Sequence, residues 1–304
     1  PKLTQSEMKK MLYVKKRAIL LYMLPALTLL TAFVFLPIVL NFIYALFRWS
    51  SFSTQWDFVG LANFARLLSD ETVWVAFKNN LWYAVISLVF QVGGSMLIAA
   101  LLEEKWMRRS QPFFRTVYFL PSMISLTVVG ILWQTIYSPV FGIVNPLLEK
   151  LGLGMLATDW LGNTRTAVFS VIAVSQWQYF GYTMVLFLVA MQGVPADLYE
   201  SAIIDGANSF QRFIHITIPN IREIILVNCM ITIIGAFQVF DEIYIMTGGG
   251  PGRSSEVLGT YLFRTGFRND EMGYASAIAT MVFFVTFVFS VIQMRISGTG
   301  RREE

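Results

Sequence analysis

Six stretches of this chain are each long and apolar enough to cross a bilayer, and that constrains its fold more than anything else in the sequence. A crossing helix needs about 20 mostly apolar residues; such runs occur at 18–47, 80–102, 116–137, 166–191, 223–246 and 272–294. Lipid offers a backbone no hydrogen-bond partners, so these segments must be helical. At helical rise the first run is about 45 Å long against a hydrocarbon core of about 30 Å, so it tilts or protrudes. Pro25 and Pro37 mark places where it can kink. The chain is 56% hydrophobic and 14% charged, with a mean hydropathy of +0.59, whereas soluble domains are about 25% charged. A soluble globular enzyme, a disordered chain and a disulfide scaffold are excluded. Cys229 and His215, the only residues of their kinds, cannot build a zinc site or an internal disulfide and read as structural. The expected fold is all-α: a polytopic membrane bundle of six transmembrane helices, with no metal.

Charge sets the expected orientation. With the N-terminus in the cytoplasm, the 23 Lys and Arg residues divide 15 inside and 8 outside, as the positive-inside rule requires. Both termini are then cytoplasmic: residues 1–17 form an N-terminal segment, 18–294 the membrane domain and 295–304 a tail. Orientation accounts for the pI near 9.2 without nucleic acid. The bases Lys9, Lys10, Lys15, Lys16 and Arg17 resemble a signal-peptide flank. The apolar run after them is too long for a signal core, so an uncleaved first helix is expected. Small-residue pairs such as Ser95 with Ala99, Gly273 with Ala277 and Ser276 with Thr280 suit close helix packing within the bundle.

One inner loop, 194–219, is too long for a simple helix connection and carries folding signals. Pro195 suits a helix start, and Asp197 and Glu200 place negative charge in the first turn. Gly206 suits a left-handed cap between two short helices. The second piece puts Phe210, Phe213, Ile214 and Thr217 on one face, and Pro219 ends it. A cytoplasmic helix–Gly–helix either rests at the lipid interface or inserts into a groove on a soluble partner.

Glu200-Ser201-Ala202, Gly206, Ile216 and Ile218-Pro219 resemble, at matching spacing, the EAA loop of bacterial ATP-binding-cassette (ABC) importer permeases. Ser201 and Ile218 replace the usual Ala and Leu. Phe58–Phe64, Leu120-Pro121 and Thr247–Pro251 are similar to the sugar-importer branch, in particular to permeases like the larger maltose-transporter subunit in a simpler six-span form. The resemblance implies a type I importer permease in a bacterial or archaeal cytoplasmic membrane. Its partners would be a second related permease, in a heterodimer, two cytoplasmic ATPases holding ATP and Mg, and an external solute-binding protein. Residues 195–206 would be the coupling helix, with Asp197, Leu198, Tyr199, Glu200, Ser201, Ala202, Asp205 and Gly206 facing the ATPase. Glu200 either pairs with a basic group there or caps its own helix. The chain has no Gly-Lys-Ser/Thr phosphate cradle; Gly248–Gly252 reads as an outer turn. No enzymatic activity and no cofactor are expected in this chain.

The solute path is sought where polar groups enter the spans. Ser175, Gln178, Tyr179 and Tyr182 share one face of the fourth span. Amide and aromatic groups together suit a sugar. The same stretch aligns with the sugar-contacting stretch of the maltose permease, with Tyr182 identical. In the fifth span Gly235, Gln238 and Glu242 are expected on one face beside Asp241. The fourth span descends as the fifth ascends, so the two faces can meet. Two rivals are an ion-coupled secondary transporter acting alone, which needs more ionisable residues deep in its spans, and a coupling scaffold whose partner permease holds the solute.

Overall fold

A computed structural model of the protein describes residues 16–297. The basic residues Lys2, Lys9, Lys10, Lys15, Arg301 and Arg302 lie outside that range, as do segments 1–15 and 298–304. The described fold is helical except for one short hairpin. Four helices are long and apolar enough to cross a membrane: Leu21–Tyr44 (within α1, which begins at Lys16), Glu71–Glu103 (α3), Ala167–Gln192 (α7) and Met272–Ile296 (within α13, which ends at Ser297). Two further pairs pass the same test but are sharply bent: Gln111–Met123 (α4) with Leu126–Tyr137 (α5) at 97°, and Ser209–Asn220 (α9) with Arg222–Gln238 (α10) at 74°. Counting each bent pair once gives up to six crossings. Short helices complete the fold at Ala62–Ser69 (α2), Val144–Lys150 (α6), Ala196–Ile204 (α8), Asp241–Met246 (α11) and Leu258–Phe263 (α12).

Three expected spans need correction. The second starts at Glu71, nine residues before the apolar run, because the Asp70 side chain caps it by accepting from the Thr72 amide. The third is no continuous helix over 116–137. It breaks around Ile124, where Leu120–Met123 tightens into a 3₁₀ turn. The fifth ends at Gln238, and Val239 turns to an extended conformation before α11 begins. In the first span, the residues ahead of Pro37 adopt a π-helical turn, Thr31–Phe35. Pro37 has no amide to offer Phe33, and the hydrogen-bond ladder slips there.

The bundle has two distinct ends. Residues 103–111, 192–222 and 296 gather at one, where Gln192 reaches Glu103 and Arg222 reaches the Ile296 carbonyl. At the other, the strands Phe47–Arg48 (β1) and Asp57–Phe58 (β2) pair antiparallel, with Phe47 opposite Phe58. Trp49 and Trp56 stack above them at 4.9 Å, an arrangement suited to the headgroup level. The small residues act within the chain. Ser95 and Ala99 are fully buried beneath α7, while Asn41 of α1 donates to the Ser276 carbonyl (3.2 Å) and Thr280 Oγ1 (3.1 Å) of α13.

Asparagines on α3 hold the broken fifth span. Asn80 is fully buried; its Nδ2 donates to the Ala236 carbonyl at 2.6 Å, and its Oδ1 accepts from the Leu258 amide at 2.9 Å. One side chain thus satisfies a carbonyl orphaned at the end of α10 and an amide orphaned at the start of α12. Asn79 Nδ2 donates to the Ser254 and Glu256 carbonyls, both at 2.8 Å. Gly259 completes the joint: a Cβ there would stand 2.7 Å from the Val239 carbonyl. We expect Asn80→Ala to lower stability by about 1–3 kcal/mol, the cost of unpaired buried polar groups. Asn220→Ala, at an exposed helix end, should cost far less in thermal unfolding of the detergent-solubilised protein.

A carboxylate organises the hairpin end. Asp70 accepts hydrogen bonds from the Tyr261 and Tyr274 hydroxyls at 2.6 and 2.7 Å. Burial alone would raise its pKa; the two phenols and the Thr72 and Val73 amides outweigh burial and hold it below the ordinary 3.8. A depressed folded pKa contributes stability above the unfolded value and loses it as pH falls through the folded one. Wild-type stability should therefore decline as pH drops below about 3.8. Asp70→Asn should be less stable at neutral pH, with a shallower acid-side decline in pH-dependent thermal unfolding.

Candidate functional site

The four fourth-span candidates lie on one continuous helix, α7, but differ in access. Ser175 and Gln178 are buried. Ser175 Oγ is hydrogen-bonded to the Tyr83 hydroxyl of α3 and donates to Glu242 Oε1 at 3.4 Å. Gln178 Nε2 donates to the Ile124 carbonyl at 3.2 Å, inside the break of the third span. These two side chains tie α7 to α3, α11 and the α4–α5 joint. Tyr179 is half-buried within electrostatic reach of Asp241 and Glu242, and Tyr182 is 46% exposed.

The fifth-span face differs from expectation. Gly235, Gln238 and Glu242 do not share one helical face, because α10 ends at Gln238 and the non-helical Val239 and Phe240 re-aim the chain. Glu242 turns inward to Ser175 and is buried. Gly235, Gln238 and Asp241 stay exposed. On α10, Gly235 and Gln238 continue the exposed run of Ile224, Val227 and Ile231, and beyond the break Asp241 and Tyr244 are exposed on α11. Phenols, an amide and a carboxylate beside aromatic rings offer donors, acceptors and flat apolar surface, which a neutral polyhydroxylated solute can use. Among the described residues no cluster of His, Cys, Asp and Glu could hold a metal. Sequence reasoning missed Tyr83, which lies 92 residues from its partner Ser175; a lone phenol in an apolar run carries no local signal.

The elbow at the opposite end is built as the local signals dictate. Pro195 precedes α8, Ala196–Ile204. Gly206, at φ +80°, turns the chain; its amide bonds to the Ile203 carbonyl, and the Ala207 amide bonds to the Ala202 carbonyl, the paired pattern of a Schellman cap. Asn208 and Gln211 then form a reciprocal capping box at the start of α9. A π turn at Phe213–Thr217 shifts the register of α9. Thr217 is buried and Phe213 half-buried, while Phe210 and Ile214 are exposed, so these four do not form one buried face.

Side chains brace the elbow against the bundle. The Tyr199 hydroxyl lies 2.9 Å from Thr217 Oγ1. Arg212 donates to the Ala207 carbonyl (2.9 Å) and Ser209 Oγ (3.0 Å) and pairs with Glu104 at 3.6 Å. A cleft of about 310 Å³ separates the elbow from the end of α3, lined in part by Glu104, Arg108, Tyr199, Glu200 and Arg212. The tip is bare: Leu198, Ile203 and Phe210 are exposed, and Ile204 is 85% exposed. Asp197, Glu200, Ser201, Asp205 and Gly206 are also exposed, while Ala202 is half-buried. The backbone at the start of α8 carries no side-chain cap, Glu200 included.

The sequence pattern of the family described as "Binding-protein-dependent transport system inner membrane component" matches residues 92–298. A probable ABC transporter permease protein, YurN, of Bacillus subtilis (strain 168) is 49% identical over 93% of this chain and 97% of its own length. The arabinooligosaccharides transport system permease protein AraP of the same organism is 32% identical over 98% and 94%. The trehalose/maltose transport system permease protein MalF of Thermococcus litoralis is 30% identical over 93% and 94%. Among solved structures, a chain of a bacterial ABC transporter involved in the import of the acidic polysaccharide alginate superposes with a TM-score of 0.80 at 26% identity, covering 95% of this chain and 98% of that one. A second structure of such a transporter, in complex with an alginate pentasaccharide-bound periplasmic protein, gives 0.81.

The difference in access between Ser175 and Tyr182 yields a test. Ser175→Ala should lower the unfolding temperature of the purified protein, through a loss of about 1 kcal/mol as two buried partners lose a hydrogen bond. Tyr182→Ala should leave it within about 0.5 kcal/mol of wild type.

Proposed function

Because the chain belongs to the family of binding-protein-dependent inner-membrane transport components, we propose that it is the permease subunit of an ATP-driven carbohydrate importer, supplying one wall of the path and the lever that moves it. The elbow carries this reading: a braced, doubly capped helix pair with a bare apolar tip is what a force-transmitting contact requires. The ATPase groove takes the tip formed by Leu198, Ile203 and Ile204. Glu200, free of any capping role, pairs with a basic group in that groove. ATP and Mg reside on the two ATPase subunits. Closure of their dimer pulls α8, and the Tyr199–Thr217 and Arg212–Glu104 links pass the motion to the bundle. The elbow end and both termini lie in the cytoplasm.

Carbohydrate is favoured by the solutes named for the similar proteins, arabinooligosaccharides, trehalose/maltose and alginate, and by the chemistry of the bare stripe. An external binding protein delivers the solute at the hairpin end. A second, related permease closes the path opposite Gly235, Gln238, Tyr179 and Tyr182. Ser175 and Gln178 support this surface from behind. A transporter working alone is disfavoured because Asp241 and Glu242 are the only acids in the described stretch 223–246 beyond its first residue, and Glu242 is occupied by Ser175.

The lever is tested in the full complex reconstituted into liposomes. Gly206→Pro and Glu200→Lys should each cut ATP-driven solute uptake about tenfold, equivalent to roughly 1.4 kcal/mol of lost coupling, while the chain still inserts into the membrane. Normal uptake by both variants would refute the lever.

A further inference from the structure

The bare stripe of the fifth span does not stop at Asp241. It runs on into a cleft of about 350 Å³ at the hairpin end, lined by Tyr244, Gly248, Phe263, Arg264 and Arg268. We propose that this cleft is a second saccharide subsite, which holds one neutral glycosyl ring of the incoming solute while the next ring reaches Gln238 and Asp241. The inference rests on the carbohydrate reading above and adds a place and a specificity to it.

Three observations support it. First, two of the lining residues, Tyr244 and Phe263, are aromatic, and Phe240 and Phe267 back them from outside the cleft. The Phe240 and Tyr244 rings stack at 5.0 Å and 16°, Phe263 meets Tyr244 nearly edge-on at 5.4 Å, and Phe267 extends the ladder from Phe263 at 5.3 Å. Such faces receive the C–H side of a sugar ring and need not move to do so.

Second, one of the two lining arginines is anchored and charge-paired. Arg264 is anchored by Glu256 Oε2 and the Gly248 carbonyl, both at 2.7 Å, and Glu256 itself is fully buried. Arg268 Nη2 donates to the Tyr244 hydroxyl at 3.3 Å, and its guanidinium lies 5.9 Å from that ring's centroid. Among the described residues Arg268 has no ion pair. Arg268 is exposed, and its guanidinium carries several N–H donors that the oxygens of neighbouring sugar hydroxyls can accept. With Arg264 neutralised by Glu256, and Asp241 one turn away, the site does not select for a polyanion.

Third, position and size agree. Tyr244 is three residues beyond Asp241 on the same short helix, α11, about 4.5 Å along the axis. The cleft is at the small end of ligand pockets, room for a single ring. A longer oligosaccharide therefore engages both places at once, and a shorter one engages them less completely.

The experiment uses the complete importer with its partner permease, ATPases and external binding protein in liposomes. Uptake of radiolabelled maltose and maltotriose, and of arabinobiose and arabinotriose, is compared in wild type, Tyr244→Ala, Arg268→Ala and Arg268→Lys. We expect Tyr244→Ala and Arg268→Ala to lower trisaccharide uptake about tenfold more than disaccharide uptake, the loss of one stacking or hydrogen-bonding contact. Arg268→Lys should recover part of that difference, and ATP hydrolysis stimulated by unloaded binding protein should not change. An unchanged ratio of tri- to disaccharide uptake, or an equal loss of both, overturns the subsite. Phe263→Trp provides a reading independent of uptake: in the assembled complex its emission should shift with millimolar maltotriose or arabinotriose, and the absence of a shift with both counts against the subsite. If wild type transports none of the four sugars, the carbohydrate reading falls and the subsite with it, a failure distinct from that of the subsite alone.

Discussion

A backbone inside a bilayer must find all its hydrogen-bond partners within the protein, and the architecture of this chain follows from how it meets that demand where its spans are not continuous. Uninterrupted helices such as Ala167–Gln192 satisfy themselves. The third and fifth spans are broken, and each break exposes amides and carbonyls that a side chain from another span must reach. Asn80 does this for the fifth span, bonding both sides of the gap from a fully buried position. Gln178 does it for the third, at the Ile124 carbonyl. Without such partners a straight helix would be cheaper, and the re-aimed segment after Gln238 would not exist.

The break also sorts the polar groups by role. Asp241 and Glu242 are adjacent in sequence, yet one is exposed and the other is buried against Ser175. The fourth span shows the same division: Ser175 and Gln178 fasten helices, while Tyr179 and Tyr182 face outward to different degrees. Polar residues inside spans therefore do not form a single class here. Some hold the wall in place and others are its surface, and one stripe of helix can carry both.

What was legible in the sequence depended on range. The turn of the elbow could be read from the sequence, because Pro195 and Gly206 act on their immediate neighbours; the Asn208–Gln211 box was found only in the structure. The apolar runs announced the four uninterrupted helices long enough to cross a membrane, though the second begins nine residues before its run. The breaks could not be read that way. The Asn80–Ala236 bond joins residues 156 positions apart, and neither asparagine nor alanine signals its partner. The assumption of a continuous helix over 223–246 put Gly235, Gln238 and Glu242 on one face, and the break removed that alignment. In α9 the π turn at Phe213–Thr217 shifted the register for the same reason: a one-residue slip in the ladder leaves no mark in the amino-acid pattern.

The exposed ribbon from Ile224 to Tyr244 has a wider consequence. It grades from aliphatic side chains near the elbow to amide, acid and phenol toward the hairpin, and these side chains are exposed among the described residues. A molecule moving along it would touch protein on one flank only. In the path proposed above, discrimination among cargoes would be a shared property of two polypeptides, and replacing the opposite flank would retune what passes without altering a residue here. A half-channel of that kind would let a lineage change diet by exchanging a neighbour.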